Sequence, residues 1–371
     1  MRRLYAIQLE RTQRLVGAIA DLWSQGDAVA IVDPDAPAKR TAERLAALRP
    51  HFLVSGGRVT EWDPAAPLMD RSDRVVVTTS GTTGPPKAVV HTEEGLSASA
   101  KAVHARLQAA PSDGWLCALS PLYIGGLAII ARSLLDGLPV VVTGGFDQES
   151  LDRAREQGAT LAAAVTPVLA RADLSGFRAV ILGAQPAPGR LPANAISTYG
   201  MTETGSGVVY GGTPLETVEL SLRAGEIYLR GPMISRSTRS GAALLDADGW
   251  LATGDAGELD EADRLRVLGR GADLINTGGS KVSPDRVEAA IREAGTPLDD
   301  FAVFGAADPV WGEVVTLAFS GPARTSLADI QAAIRDLVEP YELPRAMLQL
   351  PSIPRTETGK PRRALLPEGR G

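Results

Sequence analysis

The feature that most limits the fold is an alternation of short, continuous apolar runs with helical apolar stripes. Runs of four or five apolar residues fit strands buried on both faces, as in a sheet covered by helices. Strand candidates are Ala28–Val32, Val75–Thr79, Trp115–Leu119, Val140–Thr143, Ala162–Val165, Ala179–Leu182 and Glu226–Arg230, several of them such runs. Between them, Leu96, Ala100, Val103 and Leu107 recur at helical spacing on one face. This alternation predicts α/β architecture for residues 1–270: a large N-terminal domain of sheets with flanking helices.

The last hundred residues read differently. Ser283-Pro284-Asp285 is a helix start: a capping hydroxyl, a proline at the first helical position, then an acid near the positive helix end. Val287, Ala290, Ile291 and Ala294 supply its apolar stripe. A strand pair is expected at Phe301–Phe304 and Val314–Phe319. A second helix is expected from Leu327 to Val338, with Leu327, Ile330, Ile334 and Leu337 on one face, and a last strand at Met347–Leu350. Residues 271–371 thus form a small α+β domain, joined at Gly269–Asp273, where Gly-Arg-Gly-Ala-Asp gives backbone freedom.

Composition excludes several classes. With 44% apolar residues over 371 positions the chain suits a folded globular protein. No apolar run approaches the roughly 20 residues that span a bilayer, and the N-terminus lacks a signal-peptide core. A cytoplasmic location without membrane insertion is expected. The single cysteine, Cys117, excludes an internal disulfide framework, and His51, His91 and His104 share no metal-ligand spacing. A net charge of −6 without a dense basic run argues against general nucleic-acid binding. Only five of the 38 basic residues are lysines: Lys39, Lys87, Lys101, Lys281 and Lys360. Three of them fall in glycine-rich segments, where a compact ammonium differs in use from a guanidinium fork.

The first such segment is Thr78-Thr79-Ser80-Gly81-Thr82-Thr83-Gly84-Pro85-Pro86-Lys87, directly after an apolar run. Glycines let backbone N–H groups approach a ligand, hydroxyls donate to phosphate oxygens, and lysine adds a point charge. It is not a Walker A loop, since two prolines separate Gly84 from Lys87. On residue types alone, an ordinary turn after a strand competes with a polyphosphate loop.

The run Thr79–Lys87 resembles the phosphate-binding signature of the adenylate-forming superfamily, which includes acyl-CoA synthetases, peptide-synthetase adenylation domains and luciferases. Further segments match in the same order. Gly183-Ala184-Gln185 resembles the adenine-pocket segment. Tyr199-Gly200-Met201-Thr202-Glu203-Thr204 resembles the aromatic-Gly-x-Thr-Glu segment. Gly249-Trp250-Leu251-Ala252-Thr253-Gly254-Asp255 and then Gly269-Arg270 resemble the ribose-binding segments. The resemblance implies that Tyr199 stacks on adenine, Thr202 reaches the phosphates, Glu203 with Thr83 holds Mg²⁺, and Asp255 and Arg270 touch the ribose. The glycine-rich run Asn276-Thr277-Gly278-Gly279-Ser280-Lys281 resembles the loop that serves thioester formation with coenzyme A. Pro354-Arg355-Thr356-Glu357-Thr358-Gly359-Lys360 resembles the segment carrying the adenylation lysine, here Lys360. The resemblance also implies a mobile small domain that pivots at Gly271 and Ala272. Many relatives carry Asp, Lys or Ser where Ala272 stands.

The chain is short for this superfamily. Its build, and the run Pro121-Leu122-Tyr123-Ile124-Gly125-Gly126-Leu127 leading to Arg132, look like o-succinylbenzoate–CoA ligases of menaquinone biosynthesis. Family members often have His where Tyr123 stands. The resemblance implies an acyl pocket at Tyr123, Gly125 and Gly126, with Arg132 meeting a second substrate carboxylate directly or through water. ATP, Mg²⁺ and coenzyme A are the implied cofactor and co-substrates, and a small carboxylic acid is the partner. Homo-oligomerisation is left open. Another aryl or fatty acyl-CoA ligase, a carrier-loading adenylation domain, and a nucleotide-binding regulatory protein are the competing readings.

Overall fold

A computed structural model describes residues 1–79, 86–183, 191–356 and 359–367. The chain divides into two compact units: Met1–Ser221 with Tyr228–Ala252, and Leu222–Ile227 with Thr253–Gly371.

The first unit contains a six-stranded sheet of β1 (Leu4–Gln8), β2 (Ala28–Ile31), β3 (Phe52–Ser55), β4 (Arg58–Glu61), β5 (Asp73–Thr78) and β6 (Ala88–Thr92), in the order β4-β3-β1-β2-β5-β6. β1, β2, β3 and β5 run parallel, and β4 and β6 return antiparallel. Helices α1 (Gln13–Ser24) and α2 (Ala38–Leu48) make the crossovers. All four residues of β2 are buried, as its unbroken apolar run requires. β1 is a strand that its sequence hides. Arg3 and Gln8 bracket a four-residue apolar run, yet Leu4, Ala6 and Ile7 are fully buried and Tyr5 stacks on Phe52.

A seven-stranded sheet follows: β7 (Trp115–Cys117), β8 (Val140–Val142), β9 (Leu161–Val165), β10 (Ala179–Gly183), β11 (Ala195–Met201), β12 (Ser206–Tyr210) and β13 (Thr213–Pro214). Its order is β13-β12-β11-β10-β9-β7-β8, with β7 to β11 parallel. Helices α3 (Glu93–Leu107), α4 (Ile124–Asp136) and α5 (Gln148–Glu156) accompany it. The Thr92 hydroxyl caps α3 by accepting from the Gly95 N–H, and Leu96, Ala100, Val103 and Leu107 form its buried face. A third sheet has four strands in chain order, β14 (Glu219–Arg223), β15 (Glu226–Arg230), β16 (Leu251–Leu259) and β17 (Leu265–Arg270).

The second unit carries a five-stranded sheet: β18 (Ile275–Thr277), β19 (Ser280–Val282), β20 (Asp300–Asp308), β21 (Gly312–Ser320) and β22 (Ala346–Leu350). β20 and β21 form a long antiparallel pair, and β22 adds to β21 in parallel. Ser283 caps α6 (Pro284–Glu293) by accepting from the Arg286 N–H. Val287 and Ile291 of α6 join Val303, Val315, Leu317, Ile330 and Ile334 in one core. Each such side chain contributes about 1.5–3 kcal/mol by burial. Helix α7 (Leu327–Ile334) is shorter than its apolar stripe predicts. After Ile334 the chain tightens into a turn, where the Leu337 N–H donates to the Ile334 carbonyl at 2.9 Å, and Leu337 is left 39% exposed. Among the described residues no helix is long and apolar enough to cross a membrane.

Candidate active site

The segment Thr79–Lys87 connects the antiparallel pair β5 and β6. Its mouth is pinned by two hydrogen bonds: the Thr79 N–H donates to the Lys87 carbonyl at 2.8 Å, and the Lys87 N–H to the Thr79 hydroxyl at 3.3 Å. Lys87 is exposed. Ser80, Gly81, Thr82, Thr83 and Gly84 lie outside the described residues, as do Ala184 and Gln185.

Gly183 ends β10, and Tyr199, Gly200 and Met201 end the adjacent parallel strand β11. Both segments therefore lie at the carboxyl edge of a parallel sheet, the usual place for ligands in α/β folds. A bulge between Tyr199 and Gly200 re-aims this strand end against β12. Gly200 is required there, because a Cβ would lie 2.1 Å from the Ser206 carbonyl oxygen. Thr202–Thr204 then forms one 3-10 turn, closed by the Thr204 hydroxyl, which accepts from the Met201 N–H at 2.8 Å. The Glu203 carbonyl accepts from the Ser235 N–H at 2.8 Å. Two residues on, the Ser237 carbonyl accepts from the Val90 N–H of β6 at 3.2 Å. The segment Ser235–Ser237 thus ties the Glu203 turn to the strand that follows Lys87.

Tyr123 precedes α4 just beyond the carboxyl end of β7. Gly126 has a packing reason of its own: a Cβ would lie 2.5 Å from the Ser120 carbonyl oxygen. At Gly125 a Cβ would make only an ordinary contact with Leu119. Arg132, on α4, is 2% exposed. It donates through Nη2 to the Ser206 hydroxyl at 2.6 Å and lies over the Trp115 ring at 5.5 Å. Among the described residues its Nε has no hydrogen-bond partner, and no carboxylate pairs with it. Burial pulls its pKa down, and the neighbouring Tyr210 phenol is pushed up by burial.

In the second unit, Asp255 and Arg270 face each other across the β16–β17 pair. Arg270 Nε lies 3.2 Å from Asp255 Oδ1, and its Nη1 donates to the Thr253 carbonyl at 2.7 Å. Gly271 and Ala272 are exposed in a single 3-10 turn ending at Asp273. Gly278 and Gly279 form the two-residue turn between β18 and β19, with φ of +57° and +86°. Such a turn favours glycine at both positions. Ser280 is half-buried and Lys281 exposed. Lys360 is exposed, with its N–H donating to the Thr356 hydroxyl at 3.1 Å.

A family model for AMP-binding enzymes matches residues 59–259, and one for the AMP-binding enzyme C-terminal domain matches residues 286–360. The chain belongs to the AMP-binding enzyme family. It is 37% identical to a "Probable 2-succinylbenzoate--CoA ligase" of Mycobacterium tuberculosis, over 80% of this chain and 85% of that protein. Two solved structures of o-succinylbenzoate CoA synthetase from Bacillus subtilis match with a TM-score of 0.84. One, in complex with the acyl-adenylate intermediate OSB-AMP, is 25% identical and covers 100% of this chain and 89% of its own. The other, with ATP and a magnesium ion, is 26% identical and covers 99% and 90%.

For an AMP-binding enzyme the metal donors of this chain are few. Among the described residues no three or more His, Cys, Asp or Glu gather to hold an ion by themselves. A single carboxylate at Glu203, on a turn held by Ser235, fits Mg²⁺ carried on phosphates, which keeps its waters and takes one or two protein carboxylates.

Two buried polar groups escaped the sequence reading. His91, on β6, accepts or donates through Nδ1 with the Ser235 hydroxyl at 2.9 Å, and burial pushes its imidazole down to about 4. Ser206 joins Arg132 and the Ser99 hydroxyl, the latter at 3.2 Å. Neither has a local sequence signal, since each partner lies more than 70 residues away in the chain.

Proposed function

We propose that the protein is a 2-succinylbenzoate–CoA ligase of menaquinone biosynthesis. It activates the acid as an acyl-adenylate with release of pyrophosphate, then transfers the acyl group to coenzyme A with release of AMP. The observation that carries the choice of acid is the buried Arg132 guanidinium, which has no carboxylate partner among the described residues. An unpaired buried charge is costly, and a second substrate carboxylate is what would neutralise it. A fatty acid or benzoate has no such group.

In the first step the substrate carboxylate attacks the α-phosphorus of ATP. Ser80, Thr82, Thr83 and Lys87 donate to the β- and γ-phosphates, while Thr79 fixes the base of the loop and Gly81 and Gly84 let its backbone close in. Tyr199 stacks on adenine beside Gly183, Ala184 and Gln185. Asp255 accepts from the ribose hydroxyls, with Arg270 beside it. Thr202 donates to the α-phosphate, and Glu203 and Thr83 are the Mg²⁺ ligands. When bound, that ion screens charge between phosphates. Lys360 lowers the repulsion between the attacking carboxylate and the phosphate in the transition state. In the second step the domain beginning at Gly271 rotates, Lys360 withdraws, and the Gly278–Lys281 loop lines the path of the coenzyme A thiolate.

Lys360→Ala tests this division of labour. Acid-dependent pyrophosphate release is expected to fall about a thousandfold, with thioester formation from preformed acyl-adenylate retained. Equal loss in both half-reactions would remove Lys360 from the adenylation step.

A further inference from the structure

Lys360 carries its charge at the end of a flexible stem, so its usefulness depends on where the backbone puts it. Three hydrogen bonds hold Gly359 and Lys360 to Thr356, and we refer to this pinned stretch as the Lys360 turn: Thr356 N–H to the Lys360 carbonyl at 2.8 Å, Lys360 N–H to the Thr356 hydroxyl, and Gly359 N–H to the Thr356 carbonyl at 2.9 Å. Gly359, at φ +79°, takes a backbone conformation that favours glycine. An arginine flanks this stretch on each side in the sequence. On one side Arg355 donates to the Gly359 carbonyl at 2.7 Å and to Asp300 on β20.

On the other side stands Arg363, three residues beyond Lys360, with a side chain only 9% exposed. Its Nε donates to the Val303 carbonyl at 2.8 Å. Its Nη2 donates to Asp285 at 2.5 Å and to Glu288 at 2.6 Å, both on α6. Burial alone would lower its pKa, and Glu288 and Asp285 more than reverse this. Those two carboxylates already balance the guanidinium. Yet Nη1 reaches a third, Asp273, at 3.4 Å. Asp273 is the last residue of the turn at the joint, and Arg363 is its side-chain partner among the described residues. Charge balance does not call for this arm. What it does is connect the joint to the segment that carries Lys360.

We propose that Arg363 is a positioning residue for Lys360, coupling the turn that presents it to the joint through Asp273. This rests on the reading of Lys360 as the adenylation lysine. A planar guanidinium holds several acceptors at fixed angles at once, which an ammonium does not. Loss of either partner lets the Lys360 turn drift relative to the joint. The step that uses Lys360 suffers, and the step from which Lys360 is withdrawn does not.

The test measures both half-reactions in the full-length enzyme for Asp273→Asn, Arg363→Lys, the double variant and Lys360→Ala. Displacements of about 1 Å can cost about a hundredfold in rate. Arg363→Lys is expected to slow acid-dependent pyrophosphate release by about that factor, and Asp273→Asn by about tenfold. Thioester formation from preformed acyl-adenylate is expected to stay within about twofold. The double variant is expected to be no slower than Arg363→Lys, since the two residues act through one contact. Asp273→Asn keeps Arg363 on Asp285 and Glu288, so folding is preserved. If Lys360→Ala loses adenylation while Asp273→Asn keeps full rates in both steps, the coupling is refuted and the role of Lys360 stands. If both steps fall together in both single variants, the contact only holds the fold, and the proposal is overturned. If Lys360→Ala keeps adenylation, the underlying reading fails and takes the proposal with it.

Discussion

At the residue scale the protein sorts its charges by what they meet. Arg363 is buried among three carboxylates, whereas Arg132 is buried against a serine hydroxyl and an indole ring. The first arrangement surrounds a buried charge with opposite charges, and the second leaves it without a carboxylate among the described residues. His91 is the opposite case, a titratable group kept neutral by burial. The unfolded histidine titrates near 6.5 and the folded one near 4. Between those values the unfolded state binds more protons, so stability falls as the pH drops through this window. Urea unfolding at pH 7 and pH 4.5 is expected to show the wild type losing roughly 2 kcal/mol more than His91→Gln. Equal losses would mean that His91 protonates freely in the folded state. The family was legible in the sequence because several segments rich in glycine, hydroxyls and lysine follow one another in the order of the AMP-binding enzymes, where any one of them alone reads equally as a turn. His91 and Ser235 were not, since a contact between positions 91 and 235 is made by the fold and leaves no local pattern.

At the element scale, legibility followed burial on both faces. β2, β7, β9 and β10 are continuous apolar runs and were readable as strands. β4 is fully exposed and β11 half-buried along almost all its length, so neither writes an apolar signature. Helix α4 shows how tightly one element can be packed. The resemblance places Gly125 and Gly126 at an acyl pocket, and Gly126 has a packing reason as well: it lets the helix approach the Leu119 and Ser120 carbonyls. Gly126→Ala is expected to destabilise the protein by about 1–3 kcal/mol, through strain against that backbone. Gly125→Ala, whose Cβ meets only a leucine methyl at 3.5 Å, is expected to cost far less. Denaturant midpoints of the two variants measure the difference. A reversed order would contradict this account of α4.

At the scale of the whole molecule, the alternation of strands and helices predicted the α/β class, and the ordered motifs predicted the family. The division into compact units begins its second main stretch at Thr253, ahead of the joint expected at Gly271, and β16 and β17 pair with each other and carry Asp255 and Arg270 together. A boundary read from glycines marks where backbone can turn, whereas compactness follows strand pairing. The sequence could not report that pairing.

The central claim is that this AMP-binding enzyme selects an acid with a second carboxylate, using Arg132. It is tested most directly by thioester formation with ATP and coenzyme A across 2-succinylbenzoate, benzoate and a medium-chain fatty acid, in the wild type and in Arg132→Met. The account predicts that the wild type prefers 2-succinylbenzoate. In Arg132→Met the KM for that acid should rise about a hundredfold, as expected for losing a charged hydrogen bond of roughly 2–3 kcal/mol. Preference for benzoate or the fatty acid in the wild type, or an unchanged KM in Arg132→Met, would contradict it.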